Sequence, residues 1–270
     1  MVQPETTGSQ RSVAQTLDRG LFVLESVLAG AHQLDELVEK TGLSRTVVHR
    51  LLSTLTKRGY LHQAGRGEWR PGFRLVSISS ETLSQIDATG TLQEEIDSLA
   101  AEFNDTVHLG VLSGPDILYL VKASGSRQVQ MLSRIGLRTA AQNTALGKAI
   151  LAEGDINEAT SLFDPTKILT EKSIRTAEGF REALEEARNN GYAVDNEEAM
   201  LGIICVSVVL PRVIPNQPLA AVSVSVPKPY MDDKHFSHIV STLRNRATDI
   251  GRIFAVSEYP TLLETEPGHL

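Results

Sequence analysis

The stretch TGLSRTVVHRLLSTLTKRGYL, residues 41–61, decides the fold. Gly42 can take the positive φ that commonly ends a helix, so residues 34–41 read as a short helix stopped there. Leu43 continues the turn, and Ser44 is placed to accept a backbone N–H as N-cap of the next helix. In that helix, running to about residue 58, Val48, Leu51, Leu52 and Leu55 recur at three- and four-residue steps and predict its buried stripe. Helix, turn of three to four residues, helix is the helix-turn-helix layout. At about 100° per residue the outward positions are Thr46, Arg50, Ser53 and Lys57, flanked by His49 and Thr54. Arg45 and Thr46 fall in the first turn, which in such motifs faces base edges, and Arg50 and Lys57 lie further along, suited to phosphates or additional bases.

Reading outward from that core, Leu17, Leu21, Leu24 and Leu28 have helical spacing and predict a preceding helix over residues 16–28 that buries this face. On the other side, residues 60–62 and 68–70 are β-prone runs joined by a Gly-containing loop, which predicts a hairpin. A hairpin directly after the second helix of such a motif is a wing. Its tip carries Arg66 between two glycines, a shape that reaches a DNA backbone or minor groove, and Trp69 is expected as its core anchor. Pro71-Gly72 ends the wing. Leu75, Ile78, Leu83 and Ile86 predict a helical connector, and residues 88–91 read as a joint. The expected domains are residues 12–72 (winged helix-turn-helix), 73–90 (connector helix and linker) and 91–257.

Charge supports this division. The 270-residue chain has a formal charge of −7, which taken whole argues against nucleic acid. Residues 44–74, however, hold seven Lys/Arg against Glu68 alone, a net +6, the footprint of a surface that meets phosphates. Residues 91–270 carry sixteen basic against twenty-four acidic residues, so the acidity belongs to the second part.

That larger part predicts helices over residues 92–104, 144–152, 178–190 and 232–256. Strands are expected at residues 107–112, 117–121, 129–132, 203–210 and 219–226, giving an α+β chain overall with a largely antiparallel sheet. Enzymatic readings fail on inspection. A Walker loop ending at Gly147-Lys148 would need glycine where Gln142 stands and Ser or Thr where Ala149 stands. Cys205, the single cysteine, sits in an apolar run that favours an inert thiol and suits a reducing compartment. His235 and His238 lack a fixed third metal ligand. No metal or cofactor is expected, and the longest apolar run, residues 201–210, is about half of what a membrane span needs. The chain is therefore expected to be cytoplasmic. A polar set embedded in apolar strands stands out: Asp195, Glu198, Cys205, Ser207, Ser223 and Ser225. Buried polar groups without partners cost roughly 1–3 kcal/mol each, so their convergence would favour a ligand cavity; facing solvent or satisfying one another is the alternative.

These residues resemble the IclR family of bacterial transcriptional regulators, from about Val13 to Val256. The likeness rests on Thr41 to Ser44, Val48 to Leu55 and Gly59 to Leu61, then on Thr144 to Ala149, on Gly191 to Glu198, and on Gly202 and Cys205. The resemblance implies a C-terminal GAF-like α/β effector-binding domain and assembly as a homodimer or homotetramer. It also implies an acidic small-molecule effector held by backbone amides of Ala145 and Leu146, with Asp195, Cys205, Ser223 and Ser225 lining the pocket. Double-stranded operator DNA would be met by Ser44, Arg45, Thr46, His49, Arg50, Ser53, Thr54, Lys57 and Arg66. Gln142, where the family often has histidine, is expected to alter the pocket lining, as is the run after Cys205. The expected function is a ligand-responsive regulator, a repressor of a catabolic or metabolic operon. The competing class is a small-molecule enzyme or sensor whose N-terminal helices mediate protein contacts only.

Overall fold

The structure, a computed structural model, describes residues 14–65, 67–86, 90–127, 133–257 and 259. It divides into two units, Met1–Ser84 and Gln85–Leu270, each with its own core.

In the first unit, α1 (Gln15–Leu28), α2 (Leu34–Thr41) and α3 (Arg45–Lys57) precede a hairpin of β1 (Leu61–Gln63) and β2 (Trp69–Pro71). Gly42 closes α2 with φ +66°, and its N–H donates to the Val38 carbonyl. Ser44 holds the N-cap position of α3 with extended backbone, but its side chain makes no capping bond, a correction to the expected role. Val48, Leu51 and Leu52 are buried, whereas Leu55 is half-buried. Trp69 lies in the same core and ties the wing to the turn before α2, its N–H donating to the His32 carbonyl at 2.9 Å.

The expected inner face of α1 is wrong at three of four positions. Val23, Leu24 and Val27 are buried, while Leu17, Leu21 and Leu28 are 62%, 48% and 52% exposed. This helix is apolar on two sides. The leucine spacing therefore marks an outer stripe, and the Val23-Leu24 and Val27 side packs onto α3. After the wing, α4 (Phe73–Ile86) leaves Phe73, Val76 and Leu83 exposed.

Among the described residues, the second unit has a six-stranded sheet in the order β5-β4-β3-β8-β7-β6, every pair antiparallel. Its strands are β3 (Thr106–Ser113), β4 (Asp116–Ala123), β5 (Arg138–Ala140), β6 (Ala193–Asn196), β7 (Ile203–Val209) and β8 (Ala220–Pro227). One face is covered by α5 (Thr91–Phe103) and α9 (Asp233–Val256), packed on Val107, Leu109, Val206, Val222 and Val224. The other is covered by α6 (Ala145–Glu153), α7 (Ile156–Ser161) and α8 (Ala177–Asn190). Sequence reasoning missed β5, β6 and α7, and the strand expected at residues 129–132 lies outside the described residues.

Strand alternation now decides what faces α6. Val206 and Val208 of β7 and Val222, Val224 and Val226 of β8 point to the α5/α9 core, so the intervening Ser223, Ser225, Cys205 and Ser207 take the opposite face. Register brings them level: Asp195 pairs with Cys205, Cys205 with Ser225, and Ser223 with His108.

Candidate functional sites

The first site is the outer face of α3. Ser44, Arg45, Thr46, His49, Arg50, Ser53, Thr54 and Lys57 are all exposed on it, whereas Arg66 lies outside the described residues. Arg45 pairs with Asp35 of α2, but both side chains are largely in water, and exposed pairs of this kind contribute little, about 0–1 kcal/mol. Arg45 is thus held over the first turn without being neutralised by burial. Thr54 donates its hydroxyl to the Arg50 carbonyl at 3.1 Å, which spends its donor inside the helix. The face offers two further cations, Arg50 and Lys57, along about two turns. The face is thus a cationic rod whose N-terminal turn carries Arg45 and Thr46.

The second site is a cavity of about 50 Å³ between α6 and the sheet. Ala145, Leu146, Asp195, Cys205, Ser223 and Ser225 all line it, together with His108, Tyr119, Ser133, Thr144, Ala199, Met200 and Ile203. The helix end is built for an acceptor. Thr144 is the N-cap, and its hydroxyl accepts the Gly147 N–H at 2.9 Å. The N–H groups of Ala145 and Leu146 take no acceptor among the described residues, as the first turn of a helix dictates. Gly147 is forced: a Cβ there would lie 2.2 Å from the Ala141 carbonyl oxygen. That close backbone contact fixes where the two amides stand.

Asp195, which lines the same cavity, is only 2% exposed. One carboxylate oxygen, Oδ1, accepts the Glu198 N–H at 2.7 Å and the Ala199 N–H at 3.3 Å. Burial, reinforced by the Glu198 charge, pushes its pKa up to about 6, against the opposing pull of Lys148 and the two amides. Cys205 is half-buried and lines the cavity, and its Sγ lies 3.2 Å from Ser225 Oγ. Burial and then the Asp195 charge push its thiol up, which disarms it as a nucleophile. Burial and then the Lys122 charge hold His108 down at about 3, so the ring is a neutral hydrogen-bonding group. Its Nε2 is 2.8 Å from Ser133 Oγ, and the ring packs on Tyr119 with centroids 5.1 Å apart.

The remaining members of the polar set serve the frame. Ser207 donates to the Val222 carbonyl, and Glu198 pairs with Lys148, both buried. Glu198 is gripped again through its carbonyl by the hydroxyls of Thr170 and Ser173. Gln142 does not alter the lining as expected. Both ends of its amide bond the Asp164 backbone, at 3.0 and 2.8 Å, turning it away from the cavity. The run after Cys205 contributes nothing to the lining either. The missed wall residues His108 and Tyr119 left a weak trace, a histidine between Val107 and Leu109 in an alternating strand.

Two family descriptions match the chain: "IclR helix-turn-helix domain" over residues 16–65 and "Bacterial transcriptional regulator IclR C-terminal" over residues 80–252. The chain is similar to the HTH-type transcriptional regulator KdgR of Escherichia coli K12, at 29% identity over 231 residues, covering 84% of this chain and 87% of KdgR. It is similar to the acetate operon repressor of Salmonella typhimurium at 26% identity, covering 91% and 92% of the two chains. In fold it resembles the crystal structure of an IclR homolog complexed with 4-hydroxybenzoate from Microbacterium hydrocarbonoxydans. There the TM-score is 0.68 and the identity 21%, with 90% of this chain and 100% of that chain covered. With a helix-turn-helix and an amide-lined cavity in two separate units, and with both family descriptions matched in order, the chain belongs to the IclR family of bacterial transcriptional regulators.

Proposed function

We propose that this regulator is a repressor of a metabolic operon, acting in the cytoplasm as a homodimer or pair of dimers, and released from its operator by a small carboxylic acid. The observation that carries this reading is the cavity under α6. It brings two amides that take no acceptor among the described residues together with hydroxyls, a thiol, an imidazole and the Asp195 carboxyl group, and a helix N-terminus of this kind holds an anion. Its volume leaves room for on the order of four water-sized groups, which selects an acid of a few heavy atoms.

Two further features support the reading. The similar Salmonella protein is named a repressor, and the Microbacterium protein is described with a hydroxy acid bound. The outer stripe of α1 and the exposed Phe73, 88% in solvent, with Val76 of α4 give the first unit an apolar surface around a groove, which a second copy would bury. Two copies would present two α3 helices to half-sites about 34 Å apart.

The test is a mobility-shift titration with DNA from the region upstream of the chain's own operon. Arg50→Ala is expected to weaken specific binding by about 1–3 kcal/mol, and Leu21→Lys to yield monomers in sedimentation and lose cooperative binding. Adding small acids to the wild-type complex is expected to release the DNA. Weak binding to every sequence, unchanged by Arg50→Ala, would sink the reading.

A further inference from the structure

The cavity sets an electrostatic problem for the acid it is read to bind. Asp195 faces the cavity, and every group turned toward it is neutral, acidic or already paired. From α6, Lys148 is committed to Glu198 as a buried ion pair. From the loop after β6, Glu198 brings the other half of that pair. From β7, β4 and β3, the Cys205 thiol, the Tyr119 phenol and the His108 imidazole are held uncharged, each chiefly by burial. Lys122 donates to the Ser133 carbonyl at 2.6 Å and does not line the cavity. Among the described lining residues there is no cation. An anion entering here would stand beside a buried carboxylate, with only amides and the already paired Lys148 to offset both charges.

Two carboxylates confined together hold one proton between them, because like charges at short range cannot both ionise. Asp195 is shaped to be its carrier. Oδ1 is occupied by two backbone donors, which leaves Oδ2 as the oxygen that can hold a hydrogen. We propose that the cavity takes up its acid effector together with one proton from solution, which Asp195 Oδ2 carries and donates to the effector's carboxylate. The proposal rests on the acid-effector reading above. The balance is simple: ionised Asp195, effector carboxylate and one proton become a carboxylic acid hydrogen-bonded to a carboxylate, and no covalent bond to carbon changes.

Effector strength then depends on acidity. Free Asp195 titrates at about 6, so below that value the proton is already in place and affinity is flat. Above it, each pH unit is expected to weaken binding by about tenfold, until the pKa of the complex is reached.

The experiment is calorimetric titration of the full chain with pyruvate, glycolate and acetate near pH 7.5, in two buffers of different ionisation heat. The expected result is uptake of about one proton per effector bound, and in Asp195→Asn, binding without uptake and without the pH slope. Binding of a probe with no uptake, or with release, overturns the proposal while leaving the acid-effector reading intact. Uptake that persists in Asp195→Asn also overturns it, by moving the proton to His108. Saturable binding of none of the three probes to wild type overturns the acid-effector reading and this proposal with it. Should Asp195→Asn fail to fold by circular dichroism, the wild-type proton count alone decides.

Discussion

On the proposed reading, the outer face of α3 and the cavity under α6 would both use a helix to recognise negative charge, yet by opposite means. Arg45, Arg50 and Lys57 are full charges in water, strong at long range and weakened by salt. Ala145 and Leu146 offer partial charges in a buried site that also holds a carboxylate, so on the proposed reading they would act only at contact and only on a ligand whose charge is offset. The contrast would let one chain meet a polyanion and, as proposed, a small acid without confusing them. The basic face cannot hold a single small anion against water, and the cavity cannot admit a phosphate backbone.

The largest expected separation of the two is in salt. With about six phosphate contacts from a dimer, operator affinity should fall roughly a thousandfold between about 50 and 200 mM salt. Effector affinity, measured calorimetrically over the same range, should move by less than about threefold. Similar slopes for both ligands would dissolve the distinction. Next in size is Lys148→Met. It strands Glu198 as a buried unpaired charge and should cost about 3–5 kcal/mol in urea denaturation of the second unit. A loss below about 1 kcal/mol would mean that the pair does not hold the loop after β6.

Smallest is Asp195→Asn, and here the sign matters. The folded-state pKa of about 6 lies above the unfolded value of about 3.9. The folded protein therefore binds the extra proton, and the stability this gives is present at acid pH and lost as pH rises through 4 to 6. Relative to wild type, the variant should gain about 2 kcal/mol between pH 4 and pH 8. Equal differences at both pH values would show that Asp195 is not destabilised by its burial.

Much of this was legible in the sequence, for local reasons. The helices α2, α3 and α4 are written in spacing, a glycine stop and turn residues within one short stretch. Family membership settles the function class as a DNA-binding, effector-responsive transcriptional regulator rather than an enzyme. The polar set pointed to the cavity because period-two alternation is also local. What did not show was non-local. Which side of α1 is buried depends on what α3 brings against it, and two apolar sides cannot be ranked by spacing alone. That His108 stands level with Ser223 depends on β3 pairing with β8, more than a hundred residues later. Gln142 could be seen as a departure from the family pattern, but its amide is taken by Asp164 through a fold in the chain that no motif announces.

The order of the sheet carries one more consequence. Its two outermost strands, β5 and β6, are only three and four residues long, whereas the central pair β3 and β8 runs to eight residues each. Short rims offer few free backbone groups to a passing strand, which is how natural sheets avoid growing by accretion. Copies of this domain are thereby steered away from joining sheet to sheet and growing into a fibre.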